Sequence, residues 1–314
     1  MIVRRAGVAP RGRARLLNRA LPRRTRSDAL WGLAMIAPLC AGLLVFAYWP
    51  IVQTFYYTFT SWGQFGSVTW AGLANYQQLL KDPDIPRALI NTCIYAFVSV
   101  PVSVGLSIIV AALLNQPVRG LAVYRVLYFL PVVTMPAAVG MIWKWIYNGD
   151  FGLLNQLLSV VKITGPQWLG DPRTALYAMT AVGVWSSIGY NMIILLAGLQ
   201  TIPKAYYEAA EIDGASILRR FLHVTVPLLS PSIFFTVVIG AINGFQLFDL
   251  VYLMIGKASP TLPNTESLVY LFYQDAFIYN NKGYAATITV LLLGIILFMT
   301  MIQLWAQRRW VHYE

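Results

Sequence analysis

Six long apolar stretches, almost free of charge, leave this chain few folds. They fall at roughly 30–51, 88–114, 121–146, 174–199, 224–254 and 285–305. A bilayer core about 30 Å thick is crossed by about 20 helical residues, so each stretch is long enough to span. No succession of short segments alternates apolar and polar residues as a barrel would, so helices must satisfy the backbone in lipid. Composition agrees: 11% of the 314 residues are charged, against about a quarter in a soluble domain. That excludes an ordinary soluble enzyme, a disordered chain and, despite a net charge of +11, a nucleic-acid-binding domain. The expected fold is an all-α polytopic membrane protein with six transmembrane helices.

Flanking charge orients the spans. With the amino terminus inside, 16 of the 23 Lys and Arg lie on the inner side and seven on the outer, which is the positive-inside pattern. Both termini are then cytoplasmic. The division is a basic tail (1–29), a permeation domain (30–309) and a short tail (310–314). The tail carries nine arginines from Arg4 to Arg26, with no aromatic residue before Trp31. It reads as a topology anchor touching anionic lipid, not as a nucleic-acid site. Cys40 and Cys93 sit within apolar runs, and His223 and His312 are far apart, so neither a disulfide framework nor a metal site is expected.

Polar groups and prolines interrupt the apolar runs. Pro38, Pro50, Pro101, Pro131, Pro136, Pro227 and Pro231 fall within or beside spans. Each frees a carbonyl, either curving a bundle or opening a passage. Gly240 and Gly244 have the spacing of a close helix contact. Asn243, Gln246 and Asp249 recur every three residues in the fifth span. On a straight helix Asn243 and Gln246 share a deep face, while Asp249 reaches the outer interface. In the fourth span Ser186 and Ser187 precede Tyr190 by four and three residues, with Trp185 and Asn191 beside them. Hydroxyl, amide and aromatic groups suit a neutral polyhydroxylated ligand better than an ion. Helix–helix hydrogen bonding and serine back-bonding explain the same residues without any ligand.

Between the fourth and fifth spans, residues 203–223 read as a helical hairpin. The first helix, 205–212, contains Glu208, Ala209, Ala210 and Glu211, all good helix formers. Asp213-Gly214 ends it, Gly214 in a left-handed conformation and Asp213 capping the next helix. The second helix, 215–222, carries Arg219 and Arg220 toward its negative end. Helices this short need a partner surface, and the small Ala209 and Ala210 let one approach. The acidic first half argues against lying on anionic lipid.

Glu208-Ala209-Ala210-x-x-Asp213-Gly214-Ala215, followed by Phe221 and Val224-x-Val226-Pro227-Leu228-Leu229-x-Pro231, resembles the EAA motif of permease subunits of binding-protein-dependent ABC importers. Gly72–Tyr76, Asn91-Thr92, Arg125-x-x-x-Phe129-Leu130-Pro131, Trp143-x-Trp145 and Phe248-Asp249-x-Val251-Tyr252 resemble the sugar-importing, maltose-permease-like branch. One departure is Ile255–Pro260, where relatives carry a Thr-x-Gly-Gly-Pro-like element. The resemblance implies a type I importer fold with a coupling helix at Glu208, Ala209, Ala210, Asp213, Gly214 and Ala215 that docks on an ATPase subunit. It implies a second permease subunit, two ATPase copies and an extracytoplasmic sugar-binding protein. Sugar contacts fall near Tyr190, Asn243 and Gln246, with Ser187 beside them.

No Gly-x-x-x-x-Gly-Lys-Ser/Thr loop occurs, so ATP and its Mg belong to the partner ATPase, and this chain is expected to bind no cofactor and catalyse nothing itself. A glycerol-phosphate-type cargo is the alternative, although a phosphate calls for Arg or Lys in the pathway and the spans carry none at mid-depth. An ion-coupled transporter needs a deep carboxylate, and a membrane enzyme needs a clustered acid and base; the sequence supplies neither.

Overall fold

The computed structural model describes residues 26–62, 67–117 and 119–310. The basic tail before Arg26 and residues 311–314, with His312, lie outside the described residues. The chain divides into two units, Met1–Gln53 and Thr54–Glu314.

In the first unit α1 (Arg26–Leu43) continues through a π-helical turn, Leu44–Tyr48, into α2 (Trp49–Tyr57), whose last turn belongs to the second unit. No residue from Leu30 to Gln53 is buried, as expected of an apolar helix whose solvent is lipid.

The second unit begins with a short antiparallel pair, β1 (Thr60–Trp62) and β2 (Val68–Trp70), followed by α3 (Ala74–Lys81) and the long α4 (Asp84–Leu114). Then come α5 (Leu121–Val133), α6 (Pro136–Ile146), α7 (Leu153–Val160) and α8 (Ala175–Thr201). The hairpin is α9 (Lys204–Ile212) and α10 (Ile217–Arg220). A π-helical turn, Phe221–Thr225, joins it through α11 (Val226–Leu228) to α12 (Ser230–Phe245). A second such turn (Val251–Ile255), a loop, α13 (Leu268–Tyr273), a third turn (Gln274–Ile278) and α14 (Lys282–Trp310) complete the order.

Among the described residues four helices are long and apolar enough to cross a membrane, and two bent pairs bring the number to six if each pair is one span. The expected third span is not one helix: α5 and α6 meet at 98°. Thr134 and Met135 are extended (ψ 136° and 128°) because the ring of Pro136 disfavours helix in the residue before it. Pro136 then opens α6, where no N–H is needed. The fifth is bent by 68° between Leu228 and Ser230, and its regular helix stops at Phe245, short of the expected 254. Pro38 and Pro101, by contrast, lie inside continuous helices.

In lipid, apolar burial between helices adds little, so close packing and hydrogen bonds hold the bundle together. α4 packs along α8, and α12 lies on α4. Gly240 and Gly244 face α4: a Cβ on either would sit 3.3 Å from Val100 and 3.2 Å from Ala96. Ser107 Oγ donates to the Ser103 carbonyl (2.6 Å) and approaches that of Ile188 on α8 (3.3 Å).

The motif residues Asn75 and Asn91 bracket non-helical chain. Asn75 Nδ2 donates to the carbonyls of Thr58 (2.8 Å) and Thr60 (2.9 Å). Asn91 Nδ2 donates to those of Pro263 and Glu266 (3.1 Å each), pinning the loop before α13. In that loop Glu266 is 6% exposed. Burial, reinforced by Asp84 and Asp82 and opposed by Arg87, pushes its carboxyl up to about 7. A carboxyl raised above its unfolded value near 4.5 favours folding fully at acid pH and loses that contribution as pH climbs through 7. Glu266→Gln is therefore expected to stabilise the protein by on the order of 2 kcal/mol at pH 8 and to be neutral near pH 4. Thermal unfolding in detergent at the two pH values checks this.

Candidate functional site: a polar cavity and an exposed hairpin

A cavity of about 390 Å³ lies where α4, the α5–α6 break, α8 and α12 meet. The break shapes it: Pro131, Thr134 and Pro136 form one wall, which a straight span would have filled with helix. α4 contributes Tyr95, Ser99 and Ser103, α8 contributes Ser186, Ser187, Tyr190 and Asn191, and α12 contributes Gly240, Asn243 and Gly244. Tyr95 fits because residue 183 is glycine; a Cβ there would lie 2.1 Å from the Tyr95 hydroxyl.

The structure brings Tyr190, Asn243 and Ser187 to this cavity. Gln246 is not with them. It caps α12 (φ −92°, ψ 22°) and lines a separate pocket with Phe272 and Thr289. The shared face of Asn243 and Gln246 holds only on a helix that continues, and this one ends at Phe245. Asp249, which a straight span would carry about 9 Å beyond Asn243, lines the same cavity as Asn243. Ser187 Oγ donates to the Val184 carbonyl (2.9 Å), the back-bonded alternative. Ser186 Oγ is buried and makes no hydrogen bond.

Sequence reasoning missed Tyr95, Ser99 and Ser103, whose i, i+4, i+8 spacing is the signal that could have found them. It also missed the Trp143–Trp185 contact (5.4 Å between rings) beside them. Among the described residues Asp249 is the one carboxylate lining the cavity, and no Lys or Arg lines it.

At the hairpin the sequence reading is closer. α9 ends in a left-handed Gly214 (φ +71°). The N–H of Ala215 reaches the Ala210 carbonyl (2.9 Å), and that of Gly214 reaches the Glu211 carbonyl (3.0 Å). This pair of bonds satisfies the helix's last carbonyls. Asp213, however, ends α9 and does not cap the next helix. Ser216 does, its Oγ accepting from the Arg219 N–H (3.4 Å), because α10 starts at Ile217. Arg220 pairs with Glu211 across the turn (2.9 Å). Glu208 and Ala209 are exposed and Ala210 half-buried, and the apolar Ile212 (87% exposed) and Ile217 (75%) stand at the tip. An acidic group and large aliphatic side chains are thus displayed together on one short hairpin.

Residues 67–312 match the family described as the binding-protein-dependent transport system inner membrane component. Among relatives, the sn-glycerol-3-phosphate transport system permease protein UgpA of Agrobacterium fabrum is 34% identical over 283 residues, 89% of this chain and 95% of that protein. The trehalose/maltose transport system permease protein MalF of Thermococcus litoralis is 31% identical over 278 residues, 88% of this chain and 93% of that one. Among solved structures, a chain of a bacterial ABC transporter involved in the import of the acidic polysaccharide alginate superposes with a TM-score of 0.76 at 22% identity, covering 88% of this chain and 96% of that one. The chain belongs to the family of inner-membrane permease components of binding-protein-dependent ABC transport systems. It is a multi-pass membrane subunit, and its fold is that of type I importer permeases.

Proposed function

We propose that the chain is the permease subunit of an importer for a neutral sugar or oligosaccharide. The observation that carries this reading is the cavity itself. Among the described residues its polar groups are hydroxyls, amides and phenols with one carboxylate and no cation, set between apolar side chains such as Val132, Val139 and Ile239. A phosphate or uronate would meet Asp249 with no guanidinium or ammonium to pair with it, whereas sugar hydroxyls can donate to Asp249 and Asn243. Glycerol-phosphate-type cargo is the second reading, favoured by the likeness to UgpA; a second permease subunit could bring the missing charge.

In this reading a binding protein delivers the sugar to the outer face, and two ATPase copies holding ATP and Mg grip the hairpins of the two permeases on the inner face. In the same reading both termini are cytoplasmic, which the excess of Lys and Arg on that side supports. Closure of the ATPase dimer favours one arrangement of the spans over the other, and only that difference in affinity drives the cycle. This chain itself breaks no bond.

The test is binding-protein-stimulated ATP hydrolysis by the assembled importer across a panel of neutral sugars, uronates and glycerol 3-phosphate. Stimulation by a neutral sugar supports the proposal, and stimulation by glycerol 3-phosphate alone overturns it. Asn243→Leu is expected to raise the half-saturating sugar concentration about tenfold, because it leaves a desolvated hydroxyl unpaired, with the complex still assembled. Uptake kinetics in proteoliposomes measure the shift.

A further inference from the structure

The hairpin is internally closed by the backbone bonds at Gly214 and Ala215, the Ser216 cap and the Arg220–Glu211 pair, so it can move as one piece. Behind it lies a crevice of about 380 Å³, lined by Asn115, Gln116, Leu199, Tyr207, Arg220 and Phe221 among others, which leaves it room to do so. At the edge of this crevice Tyr207 Oη lies 3.2 Å from Thr225 Oγ1. Thr225 is 6% exposed and is the last residue of the π-helical turn Phe221–Thr225. Its carbonyl accepts from the Leu229 N–H (2.9 Å) at the 68° bend, beyond which α12 runs to Asn243 and the cavity. A π turn is an irregular hydrogen-bond register that often marks a functional site. Left alone, it can take up a displacement of the hairpin locally instead of passing it on.

We infer that the Tyr207–Thr225 contact clamps this turn, so that displacement of the hairpin rotates α12 and reshapes the cavity. Tyr207 and Thr225 are thus positioning residues for transport, acting through the turn they hold. The inference rests on the permease reading and adds the route by which the two ends communicate.

The experiment uses the importer assembled with its ATPase and second permease in nanodiscs, with Cys40 and Cys93 replaced by alanine and a reporter from Val132→Cys in the cavity wall. Thiol labelling of the reporter is timed without nucleotide and with ATP, Mg and vanadate, and ATP hydrolysis is followed in parallel. In the otherwise unaltered chain nucleotide is expected to change the labelling rate. Tyr207→Phe and Thr225→Val are each expected to cut that change about fivefold, the effect of one hydrogen bond, while hydrolysis stays within about twofold. Thr225→Ser, which keeps the hydroxyl, restores the response. Equal responses in all four proteins overturn the inference, as does loss of the assembled complex in either hydroxyl-deleting variant, which makes the contact one of folding. An assembly that neither hydrolyses ATP nor shows any labelling change overturns the permease reading first, and this inference with it.

Discussion

Glu208→Lys is expected to reduce ATP-driven uptake to about 1% or less, with the protein at normal abundance in the membrane. Glu208 is exposed in the middle of α9 and makes no hydrogen bond or ion pair among the described residues, so reversing its charge costs the fold little. On the proposed partner the effect is large. A carboxylate pressed into a protein interface is worth about 2–5 kcal/mol when its pairing is removed, and each 1.4 kcal/mol is tenfold. A lysine adds repulsion from the basic group that would have held the carboxylate. Uptake in membrane vesicles, with the amount of inserted protein measured alongside, decides the point. Normal uptake removes Glu208 from the coupling surface.

Gly189→Leu is expected to prevent the bundle from forming. A Cβ at position 189 would lie 2.1 Å from the carbonyl oxygen of Tyr128 and 3.1 Å from Cα of Phe129, so α8 and α5 touch backbone to backbone here. No rotamer change relieves that contact. α5 must shift bodily, and with it Pro131 and Thr134 in the cavity wall. Overpacking a core costs about 1–3 kcal/mol when side chains can move, and more is expected where they cannot. Gly105→Leu is the control: it lies in the helical interior of α4 with nothing within 4 Å of its Cβ position, so adding a side chain there is expected to be tolerated. Size-exclusion profiles of the detergent-extracted proteins separate the two. A monodisperse Gly189→Leu protein with an unchanged melting temperature contradicts the packing argument.

Both variants bear on what was legible in the sequence. Hydropathy alone finds four of the spans, because each is an uninterrupted apolar run whose length the bilayer dictates, although the first helix runs on to Tyr57 and the second starts at Asp84. The first half of the hairpin was equally readable, since Gly214 announces its turn and 205–212 is built of good helix formers. The second half was less so: its helix, expected over 215–222, is regular only over Ile217–Arg220. The cap was not, since Asp213 and Ser216 are both competent and only the path of the chain after Gly214 selects between them. The cavity residues on α8 carried a signal in their spacing. Those on α4 carried one too, at i, i+4 and i+8, but Ser99 and Ser103 resemble the ordinary small residues of a packed helix.

What the sequence determined by itself is a membrane-spanning helical subunit with a displayed hairpin whose first helix is acidic, because apolar length, charge asymmetry and glycine conformation are local properties. What only the tertiary structure decided is which polar groups share a space. Asn243 meets Asp249 and parts from Gln246 because α12 stops at Phe245, and the cavity exists because Pro136 breaks a span that hydropathy reads as continuous. Apolarity sets how much chain lies in lipid, but the direction of each side chain depends on where helices bend and which neighbours they bend against.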